Sequence, residues 1–154
     1  MKTMVLGFPR SGTGSMAKIL DLGHEKVNGN GTSDWHLAFT KVKADHLIHV
    51  IRNPIDSISS NLFTMGVGSL NFIRESAGIE DKSILGTIVE GFIEWTNQIE
   101  SLNPDEIIRI EDKETKVNTR IHPTLKWEDL DYITVDLRNK IKEIAIKYGY
   151  DPND

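Results

Sequence analysis

The 154-residue chain contains no cysteine. Disulfides, a thiolate nucleophile and a cysteine-ligated metal centre are thereby excluded. An excess of positive charge is missing too: 18 Lys and Arg stand against 23 Asp and Glu, a net charge of −5. That balance argues against a general nucleic-acid binder, which carries a basic surface, but leaves room for a local basic pocket. No apolar run is long enough to span a membrane. Internal repeats, low-complexity segments and linkers are absent. The first apolar segment begins almost at Met1, which leaves no space ahead of it for a cleavable leader. A cytoplasmic protein with neither membrane nor nucleic-acid partner is therefore expected. One domain over residues 1–154 is long enough to bury a proper core.

What the chain does have is a distinctive start. Met4-Val5-Leu6 reads as a buried strand, Gly7 to Gly14 as a Gly/Ser/Thr-rich turn, and Ser15 to Leu20 as a helix with Met16, Ile19 and Leu20 on one face. Strand, glycine turn and helix aim backbone N–H groups at an anion. Gly12 and Gly14 would let the backbone approach a phosphate closely. Ser11, Thr13 and Ser15 add hydroxyls, and Arg10 adds a fixed charge. Gly7 and Gly12 have the spacing of the nucleotide loop G-x-x-x-x-G-K-S/T. Thr13, however, replaces its lysine and Gly14 its magnesium-binding hydroxyl. The loop thus suits phosphate and is poorly equipped for Mg-ATP chemistry, and no metal site is expected.

Further along, Leu22-Gly23 reads as a helix stop with Gly23 at the C-cap. Residues 23–27 read as a short strand, 28–31 as a loop, and Ser33 or Asp34 as the cap of a short helix through Phe39. The run 45–51 is apolar on both faces, as in a central parallel strand. It ends in Arg52, followed by Asn53 as N-cap and Pro54 as first residue of a helix carrying Ser60. Ser69 is read as the cap of another short helix. Asp81 or Ser83 opens a longer one with Leu85, Ile88, Phe92, Trp95 and Ile99 on one face. A strand over 106–110 and a last helix through Leu137, Ile141, Ile144, Ala145 and Tyr148, closed by Gly149, complete the pattern. Alternating strands and helices predict an α/β fold: a three-layer α/β/α arrangement on a mainly parallel sheet, P-loop-like.

Two segments together resemble the sulfotransferase family. Phe8-Pro9-Arg10-Ser11-Gly12-Thr13 is similar to its loop for the 5′-phosphosulfate of PAPS (3′-phosphoadenosine 5′-phosphosulfate). Arg52-Asn53-Pro54-Ile55-Asp56 with Ser60 is similar to its 3′-phosphate motif, an arginine and a serine eight apart at a strand-to-helix junction. The resemblance implies PAPS as co-substrate, PAP as product, and a small-molecule or glycan acceptor. It implies that Ser11, Gly12, Thr13, Gly14 and Ser15 hold the 5′-phosphate, with Arg10 at the position of the family's basic loop residue. Arg52 and Ser60 would hold the 3′-phosphate, and Arg120 would reach the nucleotide from a late loop. The cytosolic branch carries a lysine at the position of Arg10, and an aromatic after the loop where this chain has Gly14-Ser15-Met16. Trp35 and Trp127 are the candidates for stacking on adenine. The chain is short for the family, which leaves open whether the acceptor site is open, is completed by a second subunit in a homo-oligomer, or is absent.

In-line transfer needs a proton acceptor near the sulfuryl group. The family supplies a histidine or glutamate. Here the choice is His36, with His24 and Glu25 in reserve and Asp34 as a further candidate. His46 and His49 sit in a strand and are expected to pack. The alternative to an enzyme is a non-catalytic PAP-binding or interaction protein that keeps the fold. A kinase or NTPase is disfavoured by Thr13 and Gly14.

Overall fold

The computed structural model describes residues 2–41, 43–80, 83–113 and 125–153. The chain forms two compact units, Met1–Arg52 with Trp95–Asn118, and Asn53–Glu94 with Thr119–Asp154.

The first unit holds a five-stranded sheet: β1 (Thr3–Leu6), β2 (Gly23–His24), β3 (Gly31–Ser33), β4 (His46–Ile51) and β5 (Glu106–Arg109). Their order is β2-β3-β1-β4-β5 and all four pairings are parallel. This is the α/β class read from the sequence, with a sheet that is wholly parallel. Val5, Ile48, Val50 and Ile108 form its core with Met16, Leu22 and Ile110. Helix α1 (Thr13–Ile19) follows β1 and buries Met16 and Ala17. Ile19 and Leu20, expected on the buried face, are 50% and 37% exposed. The helix is only two turns long, and Leu22, beyond its end, takes the core position instead.

Two further expectations are corrected here. Gly23 does not cap α1. Asp21 takes the left-handed turn (φ 52°), and the Leu22 and Asp21 amides bond back to the Ala17 and Lys18 carbonyls. This is the Schellman closure, with aspartate in place of the usual glycine. Gly23 lies in β2, where a Cβ would collide with the Lys26 carbonyl. The loop read over 28–31 stops one residue earlier, because Gly31 opens β3. A Cβ on Gly31 would strike the Thr3 backbone, the strand it pairs with.

The second unit is helical: α2 (Pro54–Thr64), α3 (Val67–Ala77), the first part of α4 (Ile84–Ser101), a 3-10 segment over Trp127–Tyr132, and α5 (Val135–Lys147). Asn53 caps α2 as expected, its side chain accepting from the Ile55 amide at 3.2 Å. Helix α3 starts two residues before Ser69, at Val67, so Ser69 is interior and Gly66 is the N-cap. Ser83 accepts from the Gly86 amide at 3.0 Å and opens α4, while Asp81, the other proposed cap, lies outside the described residues. The stripe Ile88, Phe92, Trp95 and Ile99 is buried as its spacing predicted. Gly149, at φ 80°, closes α5.

Candidate phosphate-binding edge

The carboxyl ends of β1 and β4 form one edge of the first unit. From β1 the chain runs toward β2 on one side, and from β4 toward β5 on the other. Such a switch point leaves a crevice outside the strand ends, where open α/β sheets take ligands. The glycine loop follows β1 at this point, and Arg52 follows β4.

The loop is held from below. Phe8 is buried and packs edge-on against Trp95, ring centroids 5.8 Å apart. The Ser11 amide turns back to the Phe8 carbonyl at 3.1 Å. Arg10 adopts a left-handed backbone (φ 63°), which costs a non-glycine residue about 1–2 kcal/mol. Arg10 is exposed, Gly14 and Ser15 are half-buried, and Ser11 and Thr13 are buried. Arg52 is drawn onto the loop: its Nη1 donates to the Arg10 carbonyl at 3.1 Å, across 42 residues of sequence. Arg52 and the glycine loop, both singled out in the sequence, therefore meet.

The glycines are explained partly by packing. Gly12 sits at φ 109°, and a Cβ there would lie 2.5 Å from Ile110 Cγ1. A Cβ on Gly7 would lie 2.7 Å from the Val50 carbonyl oxygen. Gly14 differs: its Cβ would make ordinary contacts of 3.6 and 3.7 Å with the His24 ring. The fold thus demands Gly7 and Gly12 and does not demand Gly14.

The candidate bases are separated by their partners. Glu25 accepts the Trp35 indole N–H at 3.1 Å. His24 is exposed beside Gly14. Asp34 is buried, with its amide bonded to the Val5 carbonyl at 2.9 Å. Its carboxylate Oδ1 accepts the His36 amide at 2.7 Å and lies 2.9 Å from His36 Nδ1. The short helix expected here is a 3-10 turn over His36–Phe39 with Trp35, not Ser33 or Asp34, at its N-cap. Ser33 Oγ donates to the Thr13 carbonyl at 2.5 Å and ties the end of β3 to the start of α1. Neither that tie nor the Asp34–His36 pair was read from the sequence; an Asp two residues before a His was the available signal. His49 is buried as expected, and His46 is half-buried, with its Nε2 3.4 Å from Glu106 Oε2.

Trp35 is a core residue, its ring 3.8 Å from that of His36 and its carbonyl accepting Trp95 Nε1 at 2.8 Å. Ser60 is buried in α2 of the second unit. Arg120 lies outside the described residues. A cavity of about 590 Å³ in the second unit is lined by Asn53, Asp56, Trp127 and Lys142 among others, and by none of the expected catalytic or phosphate residues. Comparisons with protein-family models, curated proteins and solved structures find no match to this chain. No helix among the described residues is long and apolar enough to cross a membrane.

Proposed function

We propose that the chain is a PAPS-dependent sulfotransferase, moving a sulfuryl group from PAPS to a hydroxyl or amine of a small molecule or glycan. One observation carries this reading: Arg52 Nη1 reaches the Arg10 carbonyl at 3.1 Å, so that Arg52 and the glycine loop share one sheet edge. PAPS presents two anionic groups on one nucleoside and needs two such neighbouring sites. The backbone of Gly12, Thr13 and Gly14, with the hydroxyls of Ser11, Thr13 and Ser15, holds the 5′-phosphate in this reading. Gly12, Gly14 and Ser15 are its more accessible members. Arg10 stabilises charge on the leaving phosphate oxygen as the S–O bond breaks. Arg52 takes the 3′-phosphate, where a guanidinium bonds in bidentate fashion. Ser60 and Arg120 enter by the family resemblance alone. His36 is the proton acceptor.

The absence of the Walker lysine and hydroxyl from positions 13 and 14 favours this reading over an Mg-ATP enzyme. Thermal denaturation with PAP, PAPS and Mg-ATP is the test. A ligand that binds the native state alone raises the melting temperature by mass action. PAP and PAPS should stabilise without magnesium and more than Mg-ATP does. Equal or better stabilisation by Mg-ATP would overturn the reading in favour of a kinase-like protein. Stabilisation by PAP with no transfer to any acceptor would favour the non-catalytic alternative.

A further inference from the structure

The Asp34–His36 pair has the form of an oriented base. Asp34 is 6% exposed and fixed at its own amide by the Val5 carbonyl. One carboxylate oxygen accepts from the His36 amide at 2.7 Å and lies 2.9 Å from ring Nδ1. The backbone bond sets the position of the residue, and an ionised carboxylate, which can only accept, favours the proton on Nδ1. The Trp35 ring, tilted 31° to the imidazole at 3.8 Å, limits rotation of the ring. Asp34 directly follows β3, its amide bonded to the Val5 carbonyl of β1, and therefore belongs to the same sheet edge as the glycine loop.

We propose that Asp34 is the positioning residue that holds neutral His36 with its proton on Nδ1 and its lone pair on Nε2, the atom that accepts the acceptor's proton. This rests on the sulfotransferase reading. The acceptor oxygen or nitrogen forms its bond to sulfur, its proton passes to Nε2, and the bond from sulfur to the 5′-phosphate oxygen breaks, leaving the electron pair on PAP. The Asp34 carboxylate then faces an imidazolium and offsets its charge. A carboxylate that orients a histidine base is a recurrent catalytic arrangement.

Long-range ¹H–¹⁵N correlation spectra of the intact protein read the tautomer directly, without substrate. The five histidines are few enough for His36 to be assigned by its loss in His36→Gln. The wild type should show a protonated Nδ1 and an unprotonated Nε2 at His36, and Asp34→Ala should convert this to a mixture or to the Nε2–H form. A wild-type spectrum with the proton on Nε2 overturns the proposal even if Asp34→Ala fails to fold. For turnover with PAPS, His36→Ala should lose roughly 10²–10⁴-fold. Asp34→Ala should lose activity in the wild type and little further in the His36→Ala background, because the two act as a unit. Equal losses in both backgrounds overturn the positioning role. Lack of PAP binding would instead remove the sulfotransferase reading, and with it the catalytic part of this proposal, while the tautomer result stands.

Discussion

Replacing Gly12 by alanine separates the demands of packing from those of ligand binding. At φ 109° an alanine sits in the left-handed region, at a cost of about 1–2 kcal/mol. Its Cβ would lie 2.5 Å from Ile110 Cγ1 and 2.8 Å from Ile110 Cβ. Ile110 is 3% exposed and belongs to the core, so it has little room to yield. Overpacking by one methyl adds about 1–3 kcal/mol. The stiffer unfolded chain returns about 0.4–1 kcal/mol. The net loss is about 1–5 kcal/mol, large beside a total stability of about 5–15 kcal/mol. Gly14→Ala is the control. Its nearest new contacts, 3.6 and 3.7 Å to the His24 ring, are ordinary, and alanine is the better helix former by about 1 kcal/mol. Urea denaturation should therefore show a lower midpoint for Gly12→Ala and an unchanged or higher one for Gly14→Ala. Ile110→Ala should reduce the additional cost of Gly12→Ala. Equal stability of Gly12→Ala and wild type, or equal losses for the two glycine variants, would refute the reasoning. If Gly14 is small for the sake of a phosphate, Gly14→Ala should keep the fold and lose PAP affinity.

Other outcomes follow from single contacts. Asn53→Ala removes the side-chain acceptor of the Ile55 amide and should cost about 1 kcal/mol in chemical denaturation, with Asn53→Ser restoring most of it. Trp95→Phe keeps an aromatic ring against Phe8 but deletes the N–H that bonds the Trp35 carbonyl at 2.8 Å. Loss of that buried bond should lower stability by about 0.5–1.5 kcal/mol, measured the same way. Glu25→Gln keeps an acceptor for the Trp35 indole and should leave stability and turnover nearly unchanged. Loss of turnover in Glu25→Gln, with His36→Ala active, would move the base to the segment after α1.

The parts of the fold legible in the sequence were those written in local signals. Val5 and Leu6 before the glycines, Asn53-Pro54 after an apolar strand, and the three- and four-residue steps from Ile88 to Ile99 each place an element without help from distant residues. The misses were set by backbone contacts that residue type does not announce, some of them far along the chain. β3 is Gly31-Thr32-Ser33, with no apolar periodicity, and its identity as a strand comes from pairing with β1 and β2. Gly23 suggested a cap because glycine usually provides one, whereas Lys26 explains the glycine and Asp21 turns the chain. The site divides in the same way. Arg10 and Arg52 were visible as residue types, but their meeting depends on β1 and β4 being neighbours. Asp34 appeared as one base candidate among four; its hydrogen bonds to His36 give it a different part.

The central claim is a site for two phosphates on one nucleoside, and calorimetry with PAP and 5′-AMP tests it most directly. Wild-type protein should bind PAP more tightly than 5′-AMP. Arg52→Ala should weaken PAP by roughly ten- to a hundredfold, the equivalent of about 1.5–3 kcal/mol for a charge-assisted contact, and leave 5′-AMP nearly unaffected. Equal losses for the two ligands, or no preference for PAP in the wild type, would contradict the account.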